Sequence, residues 1–149
     1  MTTVRETVLA AFKTQLETAL TGTATVARNQ KDAVTSPPAV VMEDGGQTRD
    51  DSNSAEDRYQ MRVRVWAYVA AEDGEDGAAV GGAISTLHAA IVQAVTQDPS
   101  LGGSAEYVTE ADMDDPDWDQ DPGTRDNAAF AVNFTVEFVT KTGDPTQTP

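Results

Sequence analysis

His88 is the only histidine in this 149-residue chain, and there is no cysteine. Disulfides, thiolate nucleophiles and every Cys-based metal site are therefore removed at once, and one imidazole cannot build a multi-His metal centre. A Ser-His-Asp triad would have to use His88. That residue falls in the middle of a helical pattern beside Leu87 and Ile91, with no nucleophile motif around it, so it reads as a packed or surface residue. Gly74, Gly77, Gly81 and Gly82 match neither the phosphate-cradling loop nor the dinucleotide fingerprint. The sequence thus predicts no catalytic residue, no metal site and no cofactor.

The densest cluster of acids runs from Asp112 to Asp121. Alternate aspartates suit a hard cation such as calcium. Counted from Asp115, positions one, three and five are Asp115, Asp117 and Asp119, and position twelve is Asp126. Gln120 stands where the sharp-turn glycine belongs, and the closing residue is not Glu, so a solvated acidic loop fits better. A second polar stretch, residues 43–57, includes Asp50 and Asp51 and has almost nothing apolar. It reads as a long exposed loop, a class usually functional or disordered. Asp50, Asp51, Asp114, Asp115, Asp117 and Asp119 are the acidic candidates for contact with a partner.

Arg62, Arg64, Trp66 and Tyr68 form the third group. They alternate with Met61, Val63, Val65, Ala67 and Val69, so one long strand presents them together on the face opposite its core face. Arg, Trp and Tyr dominate binding hot spots, which points to an intersubunit or partner contact. The competing reading places the second helix over this face, or lays the Arg stems along it.

The elements that position these groups follow from periodicity. Val4, Val8, Phe12, Leu16 and Leu20 mark an amphipathic helix, with Thr2 or Thr3 as N-cap and Gly22 just past its end. Short strands are expected at residues 23–28 and 39–42, the latter introduced by Pro37 and Pro38, and a long one at 58–70. Val80, Ile84, Leu87, Ile91 and Val95 define a second helix near 78–97, ended by Asp98-Pro99. A strand at 104–110, an acidic loop at 112–126 and a closing strand at 127–141 complete the pattern. Phe130, Val132, Phe134, Val136 and Phe138 alternate along that last strand. The expected fold is α+β: an antiparallel or mixed sheet of four to five strands carrying two helices largely on one face. One domain spans 1–142, and 143–149 reads as a frayed polar tail.

Twenty-five acids against ten bases give a net charge of -15. Scattered Lys and Arg argue against sequence-specific nucleic-acid contact. The apolar runs are read as too short for a membrane span of roughly 18–20 residues, and residues 1–6 lack the pattern of a secretory signal, so cytoplasmic maturation is expected.

In the order of its elements the chain resembles the tail terminator (tail-completion) proteins of long-tailed bacteriophages and gene transfer agents. The resemblance is carried by residues 4–20, Pro38-Ala-Val-Val-Met42, residues 59–69, Leu87-His88-Ala-Ala-Ile91 through Asp98-Pro-Ser-Leu-Gly-Gly103, residues 130–138 and Thr142-Gly-Asp-Pro145. It covers nearly the whole chain as architecture and texture, without an invariant motif. It implies a virion protein, usually a homohexameric ring, that caps the finished tail tube. Such a ring binds the tube protein on one side and a neck or head-completion protein on the other. DNA passes through it without specific binding, there is no catalytic residue, and assembly occurs in the host cytoplasm. A neck or head–tail connector protein, or a non-viral acidic binding module, are the alternatives.

Overall fold

In chain order the elements are α1 (Val4–Ala19), β1 (Thr25–Arg28), β2 (Ala39–Ser52), β3 (Glu56–Ala70), α2 (Gly77–Thr96), β4 (Tyr107–Met113), β5 (Asp117–Trp118) and β6 (Asn127–Lys141). The structure is a computed structural model that describes residues 2–30, 37–70, 77–118 and 127–149. The strands form one sheet in the order β1-β2-β3-β6-β4, with the two-residue β5 also paired to β6. β1 lies parallel to β2 and every other pairing is antiparallel. The mixed sheet bearing two helices is the α+β architecture expected from the sequence.

β3 and β6 pair without a break from Glu56↔Lys141 to Ala70↔Asn127. Because side chains alternate, Met61, Val63, Val65 and Ala67 share one face with Phe130, Val132, Phe134, Val136 and Phe138, and all nine are buried. Both helices lie on that face. Val8, Phe12 and Leu16 of α1 and Val80, Ile84, Leu87, Ile91 and Val95 of α2 belong to the same apolar cluster. Phe12 meets Phe134 edge-on, with ring centroids 5.7 Å apart.

Polar groups fix the joints between elements. Thr3 caps α1 by accepting the Glu6 N–H, and Gly22 turns the chain with φ +77°. Gln15 Nε2 donates to the carbonyls of Ala94, Val95 and Asp98 at 2.7–3.2 Å, satisfying acceptors that the end of α2 would otherwise leave open. Arg28 is a clamp: it donates to both Glu6 carboxylate oxygens and both Asp44 oxygens at 2.6–2.9 Å, tying β1 to α1 and β2. These bonds hold the Glu6 and Asp44 carboxyls below their ordinary range.

Several expectations are corrected. Residues 43–57 are a β-hairpin, not a loop: β2 runs on to Ser52 and pairs with the start of β3. Residues 46–55 are exposed throughout, so no buried face imprints an apolar alternation on that half of the strand. Asp50 and Asp51 therefore stand on a strand. Asp50 is the extra residue of a bulge between Arg49 and Asp51, and Asp51 lies opposite Arg58. Likewise, β4 starts three residues later than expected and takes in Asp112 from the supposed acidic loop, and Asp117 belongs to β5. Finally, α2 is long and apolar enough for a membrane span over Ala78–Thr96, with mean hydropathy 1.5. Alanine raises that average, while the larger apolar side chains of the helix face the sheet.

Residues 143–149 make specific bonds. The Val4 N–H donates to Pro145 O at 2.9 Å, and the Lys141 N–H to Gln147 O at 2.8 Å. Asp57, buried beneath this segment, accepts the Ser52 hydroxyl at 2.5 Å and the Gly143 N–H at 3.1 Å. Those two bonds keep its carboxyl below the ordinary range. Depression of a folded-state pKa stabilises the fold above the unfolded value and is lost as pH falls through the folded one. The gap in urea midpoint between wild type and Asp57→Asn is therefore expected to be open at neutral pH and to close in strong acid.

A two-residue bulge places Gly45 and Gly46 opposite Arg62. A Cβ on Gly45 would lie 2.3 Å from the Arg62 carbonyl oxygen, whereas one on Gly81 in α2 would meet nothing within 4 Å. Gly45→Ala is expected to destabilise by about 1–3 kcal/mol. Gly81→Ala is expected to stabilise by up to about 1 kcal/mol, since helical glycine carries an entropic cost. Urea unfolding of the two variants checks the opposite signs.

Candidate interaction face

The face of the sheet away from the helices carries the residues singled out by the alternation of β3. Register sets them in rows. Tyr107, Glu137, Gln60 and Thr48 cross the sheet together; next come Thr109, Thr135 and Arg62, then Asp112, Asn133, Arg64 and Glu43. Beyond these, Ala131, Trp66, Val41 and Ala27 form a row, followed by Ala129, Tyr68, Ala39 and Thr25. The face is thus polar and charged toward the hairpin, and aromatic and aliphatic at the other end. Since both helices pack on the opposite side, α2 does not cover it.

Arg64 organises the charged part. Its Nε donates to Asn133 Oδ1 at 3.1 Å, and Asn133 Nδ2 donates to Asp112 Oδ1 at 2.9 Å and Asp114 Oδ1 at 3.1 Å. Arg64 Nη2 lies 3.5 Å from Asp114 Oδ2, and the guanidinium stands 5.7 Å from the centre of the Trp66 ring. Two groups that the sequence presents separately, the β3 row and the acids after β4, meet in one network. Asp112 and Asp114 are thereby bonded. Asp115 and Asp117 are exposed.

Arg62 differs from its neighbour. It makes no ion pair or side-chain hydrogen bond among the described residues, and a Cβ on Gly46 would lie 2.9 Å from its Nη2. The glycine leaves room for the guanidinium to lie along β2. Around it a depression of about 440 Å³ is lined by Glu43, Asp44, Arg64, Asp112, Asp114 and Thr135 among others. Trp66 and Tyr68 are half-buried. Burial pushes the Tyr68 phenol upward, and the Glu43 carboxylate adds to the shift. Tyr107, 51% exposed, extends the face across β4. It was not among the sequence candidates, although its alternation with buried Val108 carried the signal.

The remaining candidates lie elsewhere. His88 Nε2 is 3.0 Å from Glu110 Oε1, a surface pair joining α2 to β4 on the helix side. Asp119 and Asp126, which the calcium pattern would use, and Gln120, which breaks it, lie outside the described residues. Among the described residues no three His, Asp or Glu side chains converge on a metal-sized space. No family model matches the chain, and no curated protein sequence does.

A face of this kind can bind a protein: it offers half-buried aromatics with a polar rim, the composition of interface cores and their surroundings. Its own ion pair contributes little to folding, because an exposed pair is worth about 0–1 kcal/mol. Arg64→Ala is expected to move the unfolding midpoint by no more than this. It should change Trp66 emission, read in a Trp118→Phe background, by removing the cation over the ring.

Proposed function

We propose that this chain is a virion structural protein of a long-tailed phage, forming a ring on the end of the tail tube that stops its growth and joins tail to neck. The observation that carries the assembly part is the open sheet face with Arg62, Arg64, Trp66 and Tyr68 in one line. The resemblance in element order supplies the place in the particle. A contact between two different patches of identical copies closes into a ring when its rotation closes. A chain of net charge -15 repels its own copies, so association favours surfaces that hold the scarce basic groups. The open face is such a surface. It sets Arg62 and Arg64 among Glu43, Asp112, Asp114 and Glu137. The acidic remainder of the molecule suits a passage through which DNA moves, because phosphates are repelled rather than held.

Particles assembled without the protein are expected to carry tails of uncontrolled, excessive length, seen by electron microscopy. Tails of normal length that fail to join heads would assign the neck instead. A protein that mass photometry finds monomeric at every concentration, and that is absent from purified particles, would overturn the reading in favour of a separate acidic binding module.

A further inference from the structure

The distal half of the β2–β3 hairpin is an exposed arm held in one position. Seven residues, 46–52, at about 3.3 Å each reach roughly 20 Å along the strand. β1 borders β2 only from Ala39 to Met42, leaving the arm's outer edge without a strand neighbour among the described residues. An isolated hairpin is marginal in water, yet this one is fastened at its turn. Asn53 Oδ1 accepts the N–H groups of Ala55 and Glu56 at 2.8 and 2.9 Å. Thr142 donates its hydroxyl to Asn53 O at 2.6 Å and its N–H to Ala55 O at 3.2 Å. Asp57 adds the buried bonds to Ser52 and Gly143. A prearranged element of this kind loses little freedom when it docks.

Charge identifies what it docks on. Arg49, Arg58, Arg62 and Arg64, four of the eight Lys and Arg among the described residues, all lie in this hairpin. The arm carries exposed Asp50 and Asp51, and the open face carries Arg62, which has no ion pair among the described residues. The acids of the arm and the arginine of the face are therefore complementary in charge. Pairing strand edges instead is disfavoured, since the edge portion of β2 and edge strand β4 both contain bulges.

Resting on the reading that copies of the chain associate, we propose that the β2–β3 arm of one copy docks on the open sheet face of the next, with Asp50 and Asp51 against Arg62. Arm and face are different surfaces, so the contact is head-to-tail, as a ring requires.

The test uses the full chain with Asp50→Arg/Asp51→Arg, with Arg62→Glu, and with all three changes together. The changed residues are exposed, and circular dichroism confirms that each variant is folded. Mass photometry is expected to show assembly at least tenfold weaker for either reversal alone and restored when both are present in one chain. A wild type that assembles but is indifferent to either reversal overturns arm docking and leaves association standing. Loss in both without rescue in the triple variant also overturns it, by removing the direct pairing. A monomeric wild type defeats the association reading itself, and this inference with it.

Discussion

The unbroken pairing of β3 with β6 is the constraint on which the rest depends. Fifteen cross-strand pairs run from Glu56↔Lys141 to Ala70↔Asn127. With a side-chain period of two, a slip of one residue in either strand would carry its whole apolar set to the other face. The register therefore decides two things together. It gathers Phe130, Phe134 and Phe138 under the helices, and it leaves Arg62, Arg64, Trp66 and Tyr68 on the open side. Core and candidate interface are two consequences of one alignment. A substitution that disturbed the register would damage both.

What could be read from the sequence follows from the same fact. The strand patterns of β3 and β6 and the stripes of α1 and α2 are legible because burial on one side writes a period into the residues. The arm of β2 was missed because residues 46–55 are exposed on both faces. There, Asp, Gly, Ser and Asn look alike in a loop and in a strand whose pairing is dictated from across the hairpin. Ala111 is the extra residue of the bulge in β4 between Glu110 and Asp112, which interrupts its alternation. The join between Arg64, Asn133 and Asp114 had no local signal at all. It depends on β6 lying between β3 and β4, an order that no spacing along the chain announces.

The placement of the few cations gives the acid excess a structural meaning. Lys13 pairs with Glu17 along α1, Arg28 joins Glu6 to Asp44, and Arg58 meets Glu56. Of these, the Arg28 clamp contributes most to architecture, because it links three elements with bidentate geometry on both carboxylates. Arg64 is committed to the network on the open face. Arg62, like Arg49 and Lys141, has no ion pair among the described residues; its guanidinium lies beside Gly46. In a molecule with two and a half acids per base, an arginine on an open face without an ion pair among the described residues is a position that an acid from outside can use.

A head-to-tail contact produces a closed ring only if the rotation between copies is reproducible, and in the contact proposed above arm and face would belong to one pair of hydrogen-bonded strands. β3 contributes Arg62, Arg64, Trp66 and Tyr68 to the face, and its first residues form one side of the arm. The angle between arm and face is then set inside a single fifteen-residue strand backed along its length by β6, with no hinge between domains. Two bulges in β2, at Gly45–Gly46 and at Asp50, increase local twist and aim the arm. Curvature of the assembly would thus be written in the hairpin. Gly45 matters to both arm and face, because the bulge it forms with Gly46 opposite Arg62 needs a backbone approach that a Cβ would block.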